Sequence, residues 1–458
     1  MHFDTYDQAL ARAADLCGVE PHFWDIFGNY HAASPETRMA IVRALGMPDG
    51  SREQIAKAVE EKLRAEWQRI LPPCLVVSET DRPMGVPLQI PAAGIDRSVA
   101  LEVGWEDGGV HRYEIRLNEL PETDSAAFGS HRFVRKQFML PDAPPLGYHS
   151  LRVTISGMPV EEIAFIVTPE RAFLPDFLKN GKKAAGVAIS LYGLRSDRNW
   201  GCGDFHDLRK AIDWVAGMGA AFVALNPLHA IHNRRPYNTS PYLPNSVFYR
   251  NPIYLDIEAI ADFGESARAQ RLWAKPETRA EIELLRGSQF VEYERVGALK
   301  MRFLKLLFLQ FRMEMRRGTE RSKEFEAYCR REGDLLNRFA TYCALDEHLH
   351  ARDPQIWVWH DWPHAFQDPD SEETRDFQRK HWRSILFYKY AQWQIDLQLA
   401  AAQEYSGQMG LAIGLYHDLA LATDRCGSDL WAHRPFYVNG CRVGSPPDEF
   451  SPKGQDWA

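Results

Sequence analysis

The chain has 458 residues, more than one ordinary domain needs, and 45% hydrophobic with 25% charged residues is a water-soluble globular composition. A formal net charge of -8 argues against a nucleic-acid surface, and no stretch approaches the roughly 20 apolar residues that span a bilayer. The acidic start His2-Phe-Asp-Thr-Tyr-Asp-Gln8 is unlike a signal peptide, and the 7 scattered cysteines lack any C-x-x-C pair, which fits a reducing cytoplasm better than a disulfide framework or a metal site.

Residues 1–72 read as an N-terminal helical segment. Ser34-Pro35-Glu36 supplies an N-cap, a proline in the first turn and an acid, and Met39, Ile41, Val42 and Leu45 follow before a stop at Gly46. A second helix is expected over 52–69, ended by Pro72-Pro73. Over 73–170 the period changes to two. Leu151, Val153 and Ile155 alternate with polar residues, and Asp107-Gly108-Gly109 marks a turn, so this stretch reads as a small antiparallel β-sandwich.

From 181 to 458 the pattern becomes strand–helix–strand. Ala184 to Leu191 and Ala220 to Leu225 are apolar runs expected of strands buried on both faces, with a helix from Leu208 to Val215 between them. About 262–380 reads as a helical insertion, with Leu299, Phe303, Leu306 and Leu307 on one stripe and Arg312 to Arg331 as a solvated face. A long helix from Trp382 to Glu404 then leads to a third strand, Leu411 to Tyr416, ending at His417-Asp418. The fold class expected is α/β: a partial (β/α)8 (TIM) barrel with a helical insertion, preceded by the helical segment and the sandwich.

In such barrels chemistry gathers where strands end. The three ends carry Tyr192, Arg195 and Asn199-Trp200; then Asn226, His229 and Ser240-Pro-Tyr242; then Asp418, Asp429, Trp431 and His433, with a terminal loop holding Asp448, Gln455 and Trp457. Carboxylates and amides suit sugar hydroxyls, which both donate and accept, and aromatic rings suit pyranose faces. Spacing alone reads most of these residues otherwise: Asp418 as a capping or loop residue, His229 as a satisfied structural histidine, Trp200 and Trp457 as packing. His360 and His364 have the i, i+4 spacing of metal ligands, but Pro363 between them speaks against a zinc site.

Ordered motifs decide between these readings: Leu191-Tyr-Gly-Leu-Arg-Ser196, Asn199-Trp-Gly-Cys-Gly-Asp-Phe205, Leu225-Asn-Pro-Leu-His229, Ser240-Pro-Tyr242, Asn251-Pro-Ile-Tyr-Leu-Asp256, Val443-Gly-Ser-Pro-Pro-Asp448 and Gly454-Gln-Asp-Trp457. Together they resemble the amylomaltase or 4-α-glucanotransferase family, glycoside hydrolase family 77, of bacterial maltodextrin type. The resemblance implies a cytoplasmic retaining transferase acting on α-1,4-glucans and maltooligosaccharides, with glucose as acceptor and no cofactor, metal, nucleic acid or membrane involved. It implies substrate-binding roles for Ser240, Tyr242, Asp418, Asp448, Gln455 and Trp457. The family's nucleophile sits in an Arg-Ile-Asp-His segment that has no match here, Asp346-Glu-His348 lacking the arginine. No catalytic residue is therefore expected in this chain, which reads as C-terminally truncated and inactive alone, the catalytic carboxylates lying past its end. The alternative is a non-catalytic glucan-binding remnant.

Overall fold

A computed structural model describes residues 2–234 and 239–457. The chain divides into two compact units, Met1–Asn180 and Gly181–Ala458.

In the first unit, α1 (Tyr6–Leu16), α2 (Pro35–Ala44) and α3 (Arg52–Trp67) are each capped by a hydroxyl. Thr5, Ser34 and Ser51 accept from the backbone amides of Gln8, Thr37 and Gln54, satisfying donors that a helix start leaves free. Ala9, Leu10, Val42, Ile55 and Val59 form their shared core. A short hairpin, β1 (His22–Trp24) and β2 (Tyr30–Ala32), interrupts what the sequence reads as purely helical. Its turn is built by the Asp25 carboxylate, which accepts from the amides of Phe27 and Asn29 at 2.9 and 2.8 Å, turn chemistry that helical periodicity does not register.

The sandwich follows as β3 (Cys74–Ser78), β4 (Gly85–Pro91), β5 (Ser98–Gly104), β6 (Val110–Arg116), β7 (Glu122–Phe128), β8 (His131–Met139), β9 (Gly147–Ile155) and β10 (Glu161–Thr168). One sheet has the order β3-β10-β9-β5-β6 and the other β4-β8-β7. Alternation places Leu151, Val153 and Ile155 of β9 in the core, with Val99 and Leu101 of β5 and Val86 and Leu88 of β4.

The second unit begins with β11 (Gly186–Ile189), α4 (Phe205–Gly217) and β12 (Phe222–Leu225), then a small antiparallel pair, β13 (His229–Ala230) and β14 (Ser246–Arg250). A helical layer comprises α5 (Ala261–Glu265), α6 (Ala267–Trp273), α7 (Pro276–Arg286), α8 (Tyr293–Arg317), α9 (Glu320–Arg352, kinked at Gly333), α10 (Glu372–Lys380) and α11 (Trp382–Gln408). After it come β15 (Gly414–His417), α12 (Ser428–His433), and a terminal pair, β16 (Gly444–Ser445) with β17 (Gln455–Asp456). β11, β12 and β15 form one parallel sheet with β12 central. Leu299, Phe303 and Leu307 are buried as the stripe predicts, while Leu306 is half-buried.

Two expectations differ. The strands are shorter than the apolar runs, because Leu191 enters a 3-10 turn and Leu411 to Ile413 approach β15 before its ladder begins. Nor are the first two buried on both faces: Ala188 is exposed, and Phe222 and Ala224 are half-buried. Among the described residues β11 and β15 each pair on one side only, so their outer faces lack the cover that full enclosure would give.

Candidate functional site

The parallel register puts Ile189, Leu225 and His417 side by side, so all three strands end on one edge of the sheet. At that edge the hydroxyl of Tyr242 lies near the carboxylate of Asp418, close enough for its charge to act on the phenol, with Tyr192 beside them. Partial burial, and then the charge of Asp418, raise the Tyr242 phenol above its ordinary pKa, so it keeps its proton. Both side chains remain exposed, and Ser240 Oγ accepts from the Tyr242 amide at 3.3 Å, fixing the start of the turn.

Tyr242 reaches Asp418 because the loop preceding β14 is tied to the loop following β15. The Asp424 amide donates to Pro244 O at 2.8 Å, and Asn245 Oδ1 accepts from the Ser428 amide at 2.6 Å. Asp429 is buried, and its Oδ2 accepts from the Val247 amide at 2.8 Å. Burial raises the Asp429 pKa, against hydrogen bonds from Ser246, Val247 and Thr423 that lower it. Gly427 lets these loops meet: a Cβ there would clash with the Asn245 carbonyl and lie 2.9 Å from Asn245 Cα and Asp424 O.

The other three candidates sit apart. Asp448 spends its Oδ1 on its own turn, accepting from the amides of Phe450 and Ser451 at 2.8 and 2.6 Å. Gln455 and Trp457 share the β16–β17 hairpin, where the indole N–H donates to Gln455 Oε1 at 2.8 Å and the Trp457 amide to Val443 O at 2.9 Å. Among the described residues no hydrogen bond joins this hairpin to the Tyr242–Asp418 pair.

Several motif residues are structural. Trp200 is buried, stacked on Trp273 with ring centroids 5.3 Å apart, and Trp431 is buried with its indole N–H donating to Phe366 O at 2.9 Å. Asn199 bridges Leu194 O and Asp207 Oδ2 at 3.2 and 2.9 Å, shaping the turn before α4. Burial pushes the Cys202 thiol up to about 12, which leaves it no thiolate character. His229 is buried with Nε2 accepting from the Ala420 amide at 3.3 Å, and burial, with the charge of Arg250, lowers its pKa to about 4.

The sequence reading misses the side chains that brace this edge from below. Lys300, buried on α8, donates to Ile253 O and Leu255 O at 2.6 and 2.8 Å and lies 3.6 Å from Asp204 Oδ2. Gln392 and Gln398 of α11 each clamp one residue's backbone, donating to and accepting from Arg250 and Asp256 respectively. A glutamine in a helix is an ordinary helix former, so nothing in the pattern marks these two. Among the described residues no group of three or more His, Cys, Asp or Glu side chains could hold a metal ion.

Comparison with known proteins agrees with the motifs. The family model described as 4-α-glucanotransferase, glycoside hydrolase family 77, matches residues 189–458, and that of the MalQ N-terminal β-sandwich domain matches residues 70–169. The 4-α-glucanotransferase of Mycobacterium tuberculosis is 33% identical over 460 residues, covering 98% of this chain and 60% of its own length. That of Haemophilus influenzae is 34% identical over 317 residues, covering 68% of this chain and 45% of its own length. The crystal structure of amylomaltase from Corynebacterium glutamicum matches with a TM-score of 0.79 at 30% identity, over 99% of this chain and 60% of that one. The chain thus spans 60% of the length of the mycobacterial relative. With more than half of its residues under one family model, the chain belongs to the 4-α-glucanotransferases of glycoside hydrolase family 77.

Proposed function

We propose that the protein acts as a 4-α-glucanotransferase, cutting an α-1,4-glucan and passing the released segment to the 4-hydroxyl of an acceptor glucan or of glucose. The observation that carries this reading is the Tyr242–Asp418 pair, exposed at the carboxyl edge of a parallel sheet. We read β11, β12 and β15 as an arc of a (β/α)8 barrel, in which that edge is where substrate-handling loops collect. Parallel pairing, with α4 between β11 and β12, supports the reading.

The chemistry assigned to this chain is binding and orientation. The exposed Asp418 carboxylate has lone pairs to accept from a sugar hydroxyl, and the Tyr242 ring beside it offers an apolar face to a pyranose. Gln455 and Trp457 offer a second amide and indole on their hairpin, and Asp448 shapes the turn between its strands. Retention needs two carboxyl groups about 5 Å apart, one as nucleophile and one as acid/base. None of the residues assigned here takes those roles. Transfer rather than hydrolysis requires the acceptor sugar to outcompete water for the covalent intermediate, a task suited to aromatic side chains at the site mouth. The 7 free cysteines support a cytoplasmic location. No helix among the described residues is long and apolar enough to cross a membrane.

Calorimetric titration with maltooligosaccharides of increasing length tests the reading. Affinity should rise with chain length and be weaker for the β-1,4-linked cellooligosaccharides. Equal affinity for both series, or none for either, would remove its basis.

A further inference from the structure

Several cations of the helical layer are paired with carboxylates. On α8, Arg302 meets Glu281 at 3.1 Å and Lys305 meets Glu347; at the start of α9, Arg321 is held by Asp262 and Glu314 at 2.5 and 2.8 Å. Between these lies a cluster gathered without carboxylate partners. Arg312 and Arg316 face a cleft whose opposite wall is α6, where they meet Arg268 and Arg271. Among the described residues no carboxylate comes within ion-pair distance of any of the four. The cleft encloses about 400 Å³ and contains a single acid, Glu265. Arg312 is only partly exposed, and its burial, with the nearby charges of Arg383 and then Arg316, lowers its pKa.

Like charges gathered in a concavity repel one another. The arrangement is not forced by composition, because the chain has 62 acidic residues against 54 basic ones. An anion filling the cleft removes the repulsion. The guanidinium fork matches phosphate oxygens two at a time, and the cleft has the volume of a small-molecule site. We propose that the cleft between α6 and α8 binds a small phosphate-bearing anion through Arg268, Arg271, Arg312 and Arg316. The site is separate from Tyr242 and Asp418 and does not depend on the glucan reading. The segment 312–331, a plain solvated face by pattern, thereby acquires a ligand at its N-terminal end.

The test is calorimetric titration of the chain with pyrophosphate and, separately, with fructose 1,6-bisphosphate, an inorganic and an organic source of the same chemistry. Binding is expected with a dissociation constant on the order of 0.1 mM at about 50 mM salt, weakening as salt is raised. The double variant Arg271→Ser/Arg316→Ser removes two exposed, unpaired side chains. It should weaken binding about tenfold or more while leaving the thermal midpoint in place. Arg317→Ser, on the same helix but outside the cleft, should bind like the parent. Preference for pyrophosphate or for the bisphosphate names the source, and either supports the site. The proposal is overturned if neither binds at millimolar concentration, if sulfate binds as tightly as pyrophosphate, or if Arg317→Ser weakens binding equally. Tighter binding of a single-stranded oligonucleotide would likewise overturn it, assigning the surface to nucleic acid.

Discussion

Tyr242 and Asp418 lie 176 positions apart and come together at the sheet edge. Tyr242→Phe keeps the ring and removes the hydroxyl offered to a sugar, so glucan affinity should fall by about 1 kcal/mol, roughly fivefold, with the unfolding midpoint unchanged. An unchanged affinity, measured by calorimetry, would show that the pair does not handle sugar. His229 gives a prediction of another kind. Its folded pKa of about 4 lies below the ordinary value of about 6.5, so between these pH values the unfolded chain binds a proton that the folded chain refuses. Stability should therefore be lost as pH falls from about 6.5 to 4, by up to about 3 kcal/mol, and level off below. Urea midpoints across that range should fall less steeply for His229→Gln. The same residue shows what a sequence reveals at this scale. That His229 is structural is legible from residue type and position alone. That Trp200 and Trp431 are core is less so, because an indole after a strand looks alike whether it faces Trp273 or solvent.

Among elements, the loops before β14 and after β15 act as one piece. Gly427→Ala would drive a methyl group against the Asn245 backbone, and the loops would have to part. Both stability and glucan affinity should drop, with about 1–3 kcal/mol lost in thermal unfolding. A fully stable, fully binding variant would mean that the loops are not coupled. Lys300→Met strikes beneath them. It leaves two backbone carbonyls and the Asp204 carboxylate without their cation, and should cost about 3–5 kcal/mol in denaturant unfolding. The amphipathic stripe of α8, from Leu299 through Leu307, is plain in the sequence. The burial of Lys300 beside Leu299 is not, since its partners lie more than 40 residues away and two of them are backbone oxygens. Strand ends are legible only to within a few residues. An apolar run marks what can be buried, whereas the ladder marks what is paired, and Leu191 belongs to the first without the second.

For the whole molecule, each unit has its own core: the sandwich is closed around Phe165, Leu151 and Val86, while the second unit packs its helices around Phe303, Phe311 and Tyr390. Met1–Asn180 expressed alone should therefore unfold cooperatively with β-rich circular dichroism. A non-cooperative melt would tie its stability to the second unit. Beside the one-sided pairing of β11 and β15, Leu419 and Leu421, which follow β15, are 65% and 76% exposed. Open parallel edges beside apolar side chains favour self-association, so light scattering should show mass rising with concentration. The order of layers, helices then sandwich then strand–helix–strand, is readable from changes of period along the chain. The family is readable only from many short motifs taken together, and Asn199 and Trp200 in one of them prove to shape the scaffold before α4.

A crystal structure of the chain with maltopentaose bears most directly on the assignment of the sheet edge to glucan. Sugar hydroxyls should lie within hydrogen-bond distance of the Asp418 carboxylate, with a pyranose against the Tyr242 ring. Maltopentaose bound elsewhere, with that edge empty, would contradict the role given to Tyr242 and Asp418.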